Sequence, residues 1–282
     1  MNPFVSVIVP VYRNTETLVE LHQRLCQALT RANFTFEIVF VDDACPAGSL
    51  SVLRKLADAD ERVGVLALKH NVGQHQAVLT GLMYAQGKWS VVLDADLQDP
   101  PEMVPDLVTR GMAGYPVVFG GRHGQYESSL RLFTSRLFKW MLHLLTGAPI
   151  DAGLFCALED SLRDRLLRMA GPRPSLVAMI ACTGVPMISI PFERSVRTVG
   201  KSAYTGWGRL KTAARAVGWV LNWKLRHLLR RPPVPATTAS IRARYGARFT
   251  VLDIQEQKNG MIDNENSVCT NRSTQSATTP LL

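Results

Sequence analysis

Apolar and polar positions alternate in blocks through the first half of the chain. Phe4–Pro10, Phe36–Val41, Val63–Leu68, Trp89–Leu93 and Pro116–Gly120 are short, nearly continuous apolar runs, the pattern of strands buried on both faces. The intervening stretches carry apolar residues at helical spacing. Leu18, Leu21, Leu25 and Leu29 stripe a helix over Thr17–Ala32, and Leu53, Leu56 and Ala57 point inward from one over Leu50–Ala59. Gln74–Gln86 presents a face of small residues (Ala77, Gly81, Ala85) suited to close packing, and a further helix runs over Pro101–Met112. Val185–Phe192 reads as one more strand. This order predicts an α/β fold: a mainly parallel, Rossmann-like sheet with helices on both faces. Ligands of such sheets bind at the carboxyl ends of the strands.

Two acidic pairs fall at that edge, Asp42-Asp43 and Asp94-Ala-Asp96. Strand residues i and i+2 share a face, so Asp94 and Asp96 are expected to converge on one point, with Gln98 just beyond. Pro100 and Pro101 then end the ladder and open a helix near Glu102. Two carboxylates and an amide oxygen are hard donors suited to Mg²⁺ or Mn²⁺, above all when a substrate diphosphate completes the shell.

Charge changes the picture in the second half. Lys and Arg number 32 against 23 Asp and Glu. From Arg194 to Arg231 there are ten basic residues and no acidic one. That stretch calls for an acidic partner. Within it, Trp207, Trp219 and Trp223 alternate with Lys211, Arg215, Lys224 and Arg226, the composition of a helix lying on an anionic membrane surface. The alternative is a helix packed on the domain with its basic side in water. The organisation expected is a catalytic domain over 1–205, a basic interfacial helix over 206–231 and a flexible, largely disordered tail over 232–282, rich in Thr, Ser, Asn and Gln. The five cysteines are scattered without a Cys-x-x-Cys, as in a reducing compartment. The N-terminus leads straight into a strand, without the basic flank and small-residue cleavage site of a signal peptide. Leu176–Phe192 comes nearest to a membrane span, but Gly184, Pro186 and Pro191 interrupt it. The expectation is a cytoplasmic chain, peripheral on the inner face of the membrane.

No Gly-x-Gly-x-x-Gly follows the first strand and no Gly-x-x-x-x-Gly-Lys-Ser occurs, which weighs against dinucleotide oxidoreductases and P-loop NTPases. A nucleic-acid binder is disfavoured too, because the acidic sheet edge repels phosphate chains. Instead Pro10-Val-Tyr12, Phe40-Val-Asp42-Asp43, Asn71-Val-Gly73-Gln74 and Asp94-Ala-Asp96-Leu-Gln98-Asp-Pro-Pro-Glu102 resemble the family 2 glycosyltransferases of GT-A fold. Within that family the chain is most similar to the dolichyl/polyprenyl-phosphate glycosyltransferase branch.

The resemblance implies a UDP-, GDP- or dTDP-sugar donor, a divalent metal and inversion at the anomeric carbon. It places Pro10, Tyr12, Asp42 and Asp43 at the donor nucleoside and Asp94 at its ribose–diphosphate side, with Asp96, Gln98 and Asp94 at the metal. Arg122, Arg131 and Ser135 match positions that bind an acceptor phosphate, for which guanidinium groups are suited. Asp151, in Asp151-Ala-Gly153-Leu-Phe155, matches an element that orients or deprotonates the acceptor. Arg197 and Lys201 fall in a loop resembling Arg-x-x-Gly-x-Ser-x-Tyr, which closes over the phosphates, adds positive charge and excludes water. Two positions depart from the family: Asn14 stands where Glu is usual, and Ala44-Cys45 replaces Gly-Ser. His75 is read as an ordinary surface or capping residue. The function expected is sugar transfer to polyprenyl phosphate. The alternatives are transfer to a sugar hydroxyl in polysaccharide or lipopolysaccharide assembly, and an inactive nucleotide-sugar-binding scaffold.

Overall fold

A computed structural model describes residues 2–123, 140–170, 174–193, 216–226 and 251–255. The parallel strands β1 (Val5–Val11), β2 (Phe36–Asp42), β3 (Val63–Leu68) and β4 (Trp89–Val92) alternate with helices α1 (Leu18–Arg31), α2 (Ser49–Ala59) and α3 (Gln74–Tyr84). A 3₁₀ turn at Pro101–Met103 leads into α4 (Val104–Met112) and then β5 (Val117–His123). Helical residues 140–146 (α5) precede β6 (Cys156–Glu159), α6 (Asp160–Met169), α7 (Leu176–Ala181) and β7 (Met187–Glu193). Residues 216–226 are helical (α8), and β8 (Val251–Gln255) comes last.

The eight strands lie in the order β7-β5-β6-β4-β1-β2-β3-β8. β6 runs antiparallel between β4 and β5, and β8 antiparallel beside β3; β5 and β7 pair in parallel. The sheet is therefore mainly parallel, as expected. β8 departs from the reading of 232–282 as a largely disordered tail. Its Val-Leu-Asp-Ile-Gln sequence has strand-forming residues that the polar composition around it hides, and β3 otherwise offers that edge unpaired.

Alternation along the strands builds two cores. Val5, Val7, Val9, Ile38 and Phe40 pack with the leucine stripe of α1, Leu53 of α2 and Leu107 of α4. Ile8, Val39, Val41 and Val92 face the other way, onto α3, α6 and α7. All four stripe leucines of α1 are fully buried. On α3, a Cβ at Gly81 would stand 2.4 Å from Cγ2 of Ile8, so this helix sits on β1 only because the residue is glycine. α8 docks through Ala216 and Val220 onto Leu142 and Ala178, with Trp219 and Trp223 stacked 5.5 Å apart. Leu221, Leu225, Lys224 and Arg226 are among its exposed residues. Among the described residues, no helix is long and apolar enough to cross a membrane.

Candidate active site at the carboxyl edge of the sheet

β4 ends at Val92, before the acidic pair, so strand pairing does not itself orient Asp94 and Asp96. The alternation nevertheless continues through the turn. Asp94, Asp96 and Gln98 are half-buried, while Leu93, Ala95, Leu97 and Asp99 between them are buried. The inner face is pinned to the core: Leu93 N–H donates to the Ile8 carbonyl at 3.1 Å, and Thr17 Oγ1 donates to the Ala95 carbonyl. The outer face is set by a local bond, Gln98 N–H to Asp96 Oδ1 at 3.2 Å, which closes an Asx turn over Leu97. Leu97 is held at φ +58°. Arg13 and Ala44, in the loops after β1 and β2, are likewise at +61° and +51°. A side chain in this region costs about 1–2 kcal/mol, and such strain collects where loops are shaped for function.

Gln74, the first residue of α3, reaches across with its Nε2 to donate to Asp94 Oδ1 at 2.7 Å. That bond fixes the carboxylate's direction. The turn leading into α3 is held in its turn by Asp43, whose Oδ1 and Oδ2 accept the N–H groups of Val72 and Gly73 at 2.7 and 2.9 Å. Gly73 has φ +89°, a conformation that requires glycine. Asp43 thereby sets a carboxylate of the chain itself near this helix start. Burial pushes the Asp43 carboxyl upward, opposed by those two amides.

Asp42 and Asp43 are both buried, unlike Asp94 and Asp96. Asp42 Oδ1 accepts Cys45 N–H at 2.9 Å and its Oδ2 accepts the Ser49 hydroxyl at the start of α2. Cys45 Sγ accepts Arg13 N–H at 3.1 Å, joining the loops after β1 and β2, and the Arg13 guanidinium lies 5.4 Å from the centre of the Tyr12 ring. The Ala44-Cys45 departure is thereby explained. The thiol bridges the two loops, and Ala44 tolerates a left-handed conformation that glycine would adopt freely.

Asp151 belongs to the same edge. β6 runs antiparallel with Cys156 beside Val92, so the residues just before β6 lie beyond the carboxyl end of β4. Ser189 Oγ of β7 donates to Asp151 Oδ2 at 2.8 Å. A Cβ at Gly121 of β5 would come within 1.9 Å of that same oxygen. Glycine at 121 is what lets the carboxylate fit. Arg122 is described by its backbone, at the end of β5, while Arg131, Ser135, Arg197 and Lys201 lie outside the described residues.

A sequence profile described as "Glycosyl transferase family 2" matches residues 6–156. The chain belongs to glycosyl transferase family 2. An uncharacterised glycosyltransferase of Bacillus subtilis is 30% identical over 71% of this chain and 62% of its own length. An undecaprenyl-phosphate 4-deoxy-4-formamido-L-arabinose transferase of Pseudomonas fluorescens is 34% identical over 70% of this chain and 56% of its own. The chain thus spans less than two thirds of the length of these relatives. In fold, it is similar to a mannosyltransferase from Pyrobaculum calidifontis solved in complex with GDP-Man and Mn²⁺, with TM-score 0.58, 20% identity and coverage of 87% of this chain and 70% of that one. The GT-A architecture expected from the sequence is the one found.

Several residues that shape this edge were not legible as such in the sequence. Gln74 lies twenty positions from Asp94, and Ser189 gave no signal beyond its apolar strand. His75 is more than a surface residue. Its Nδ1 accepts Leu176 N–H at 3.3 Å, joining the starts of α3 and α7. Burial lowers its pKa from 6.5 to about 4. Between those values the folded state binds fewer protons than the unfolded one, so the stability that the neutral ring confers is complete above pH 6.5. It is lost as the pH falls toward 4. His75→Gln, which keeps an acceptor, is expected to shrink the drop in Tm between about pH 7 and about pH 4.5 by about 3 °C or more. An unchanged drop in paired thermal melts would contradict this.

Proposed function

We propose that this chain is an inverting glycosyltransferase that moves a sugar from a nucleoside-diphosphate donor to polyprenyl phosphate at the inner membrane face. The observation that supports it most is the outward set of Asp94, Asp96 and Gln98 at the carboxyl edge, with Asp94 fixed by Gln74. The relatives named as undecaprenyl-phosphate transferases point to the same acceptor. The donor set consists of oxygens presented on one side of a turn, which fits a hard divalent cation. A Mg²⁺ or Mn²⁺ ion held by Asp94, Asp96 and Gln98 would neutralise the diphosphate as it leaves.

In this reading Pro10 and Tyr12 receive the nucleoside, and Asp42 and Asp43 shape the loops around it. Arg122, Arg131 and Ser135 hold the acceptor phosphate, while Arg197 and Lys201 add positive charge at the departing diphosphate. One phosphate oxygen attacks the anomeric carbon from the side opposite the diphosphate. Membrane attachment would use the exposed Leu221 and Leu225 of α8 beside Lys224 and Arg226, with Trp140 and Leu144 of α5 exposed as well.

Asp151 separates two acceptor classes. A phosphate is already ionised near neutral pH, its second pKa being about 6, and needs no base. A sugar hydroxyl does need one, and Asp151, which accepts a hydrogen bond from Ser189, would serve. Asp151→Asn is expected to keep transfer within about tenfold of the wild type with polyprenyl phosphate as acceptor. A loss of about 10³-fold or more, with Tm unchanged, would move the assignment to a hydroxyl acceptor.

A further inference from the structure

A second cluster stands at the other end of the sheet. His22 and Cys26 are one turn apart on α1 and share a face. Asp60 directly follows α2 and lies three residues before β3 begins, at the amino edge of the parallel strands. Asp94 and Asp96 occupy the opposite edge. His22 Nε2 is 2.8 Å from Asp60 Oδ2, and Cys26 Sγ is 3.4 Å from His22 Nε2 and 3.6 Å from Asp60 Oδ2. A tetrahedral zinc ion with ordinary bond lengths would hold N and S about 3.5 Å apart, S and O about 3.6 Å, and N and O about 3.4 Å. Two of the three separations already agree. The third is a hydrogen bond that must open by about half an ångström when an ion replaces its proton. We propose that His22, Cys26 and Asp60 form a zinc site, distinct from the donor-binding edge, that ties α1 to the turn between α2 and β3.

The surroundings suit an ion. Arg62 Nε and the Arg62 amide bind Asp60 Oδ1 at 2.9 and 3.0 Å, which leaves Oδ2 turned toward His22 and Cys26. Arg62 Nη2 now sits 2.9 Å from Oδ2 and 3.7 Å from Cys26 Sγ, supplying the positive charge that the cluster attracts. The Arg62 side chain is 42% exposed, so the guanidinium as a whole can turn toward water and free Oδ2 while the Arg62 amide keeps Oδ1 and orients the carboxylate from behind. Burial favours the neutral form of Asp60, but the hydrogen bonds from Arg62 and His22 outweigh it and hold the carboxyl well below its usual range. One anionic ligand is therefore ready. Burial pushes the Cys26 thiol up to about 11, so binding releases its proton to solvent and tightens as pH rises. One nitrogen, one sulfur and one carboxylate oxygen select zinc over the harder Mg²⁺ or Mn²⁺, with a fourth position left for water.

The test uses the full chain stripped with chelator and titrated with Co²⁺ as a spectroscopic stand-in. A near-ultraviolet thiolate-to-cobalt charge-transfer band should saturate at one equivalent and disappear on adding Zn²⁺. It should persist in Asp96→Ala and vanish in Cys26→Ser. Zn²⁺ at a hundredfold excess over its Kd should raise the Tm of the wild type by about 5–10 °C, and that of His22→Ala by less than about 1 °C. Cys26→Ala provides a second variant should the serine destabilise the helix. A wild type without the band, a band that survives loss of Cys26, or equal Tm gains in wild type and His22→Ala would overturn the assignment.

Discussion

Replacing Asp96 by alanine is expected to lower sugar transfer by about a thousandfold or more while the Tm moves by about 2 °C at most. The large effect follows from position and charge together. Asp96 is half-buried on the outer side of a turn whose inner side, Ala95 and Leu97, is fixed in the core. In the proposed reaction its carboxylate would stand where negative charge builds on a leaving diphosphate, and losing the cation it would hold would remove about 4 kcal/mol of transition-state stabilisation. Stability changes little, because the bond that Asp96 accepts from Gln98 N–H lies within its own turn. Asp96→Asn separates the two roles: the amide oxygen can still close the turn, yet transfer should fall nearly as far. Initial rates at saturating Mn²⁺, beside thermal melts, read both. A loss below tenfold in the alanine variant would remove Asp96 from the metal-binding set.

Asp43→Ala is expected to act on stability first and on transfer through it. The substitution strips the acceptors from the N–H groups of Val72 and Gly73 in a partly buried turn. Losing two charge-assisted bonds and leaving their donors short of partners costs about 3 kcal/mol, or about 6–12 °C in Tm. The same turn starts α3, so the Gln74 amide loses its aim at Asp94 and transfer should fall about tenfold or more even below the melting range. Thermal melts and rates well below Tm measure the two effects separately. The pH dependence has a definite sign. Burial raises the folded pKa of Asp43 above its ordinary 3.8, so this carboxyl favours the folded state most below that value and less as the pH rises through the folded pKa. The alanine variant should lose that contribution. A Tm within about 1 °C of the wild type would mean that the turn does not depend on Asp43.

What the sequence revealed and what it hid follow from the range of the interactions involved. The leucine stripe of α1 and the apolar runs of β1 to β4 are local patterns with strong periods, and each element appears within a few residues of its expected place. The acidic pairs could be set at the carboxyl edge because chain order alone fixes that edge in a βα repeat. β6 could not be read this way. Its four residues carry no period that tells direction, and its antiparallel insertion between β4 and β5 is a choice of distant partners. β8 was lost among polar neighbours for a similar reason, since five residues do not change the composition of a long tail. Asp42 and Asp43 showed their place but not their orientation. Whether a carboxylate faces a ligand or a backbone amide depends on loops 29 or 30 residues further on, as the bonds from Val72 and Gly73 to Asp43 illustrate. The cluster of His22, Cys26 and Asp60 was invisible for the same cause, with Asp60 lying 34 residues beyond Cys26.

The measurement that bears most directly on the central claim is a donor panel with a lipid acceptor. The full chain is incubated with Mn²⁺, a short polyprenyl phosphate and labelled UDP-, GDP- and dTDP-sugars in turn, and the products are extracted into organic solvent. Label from one donor should enter the organic phase, depend on the divalent ion and disappear in Asp96→Ala. Donor binding without organic label would contradict the lipid-phosphate acceptor and point to a sugar hydroxyl. Folded protein that neither binds nor transfers any of the sugars would contradict the enzyme itself.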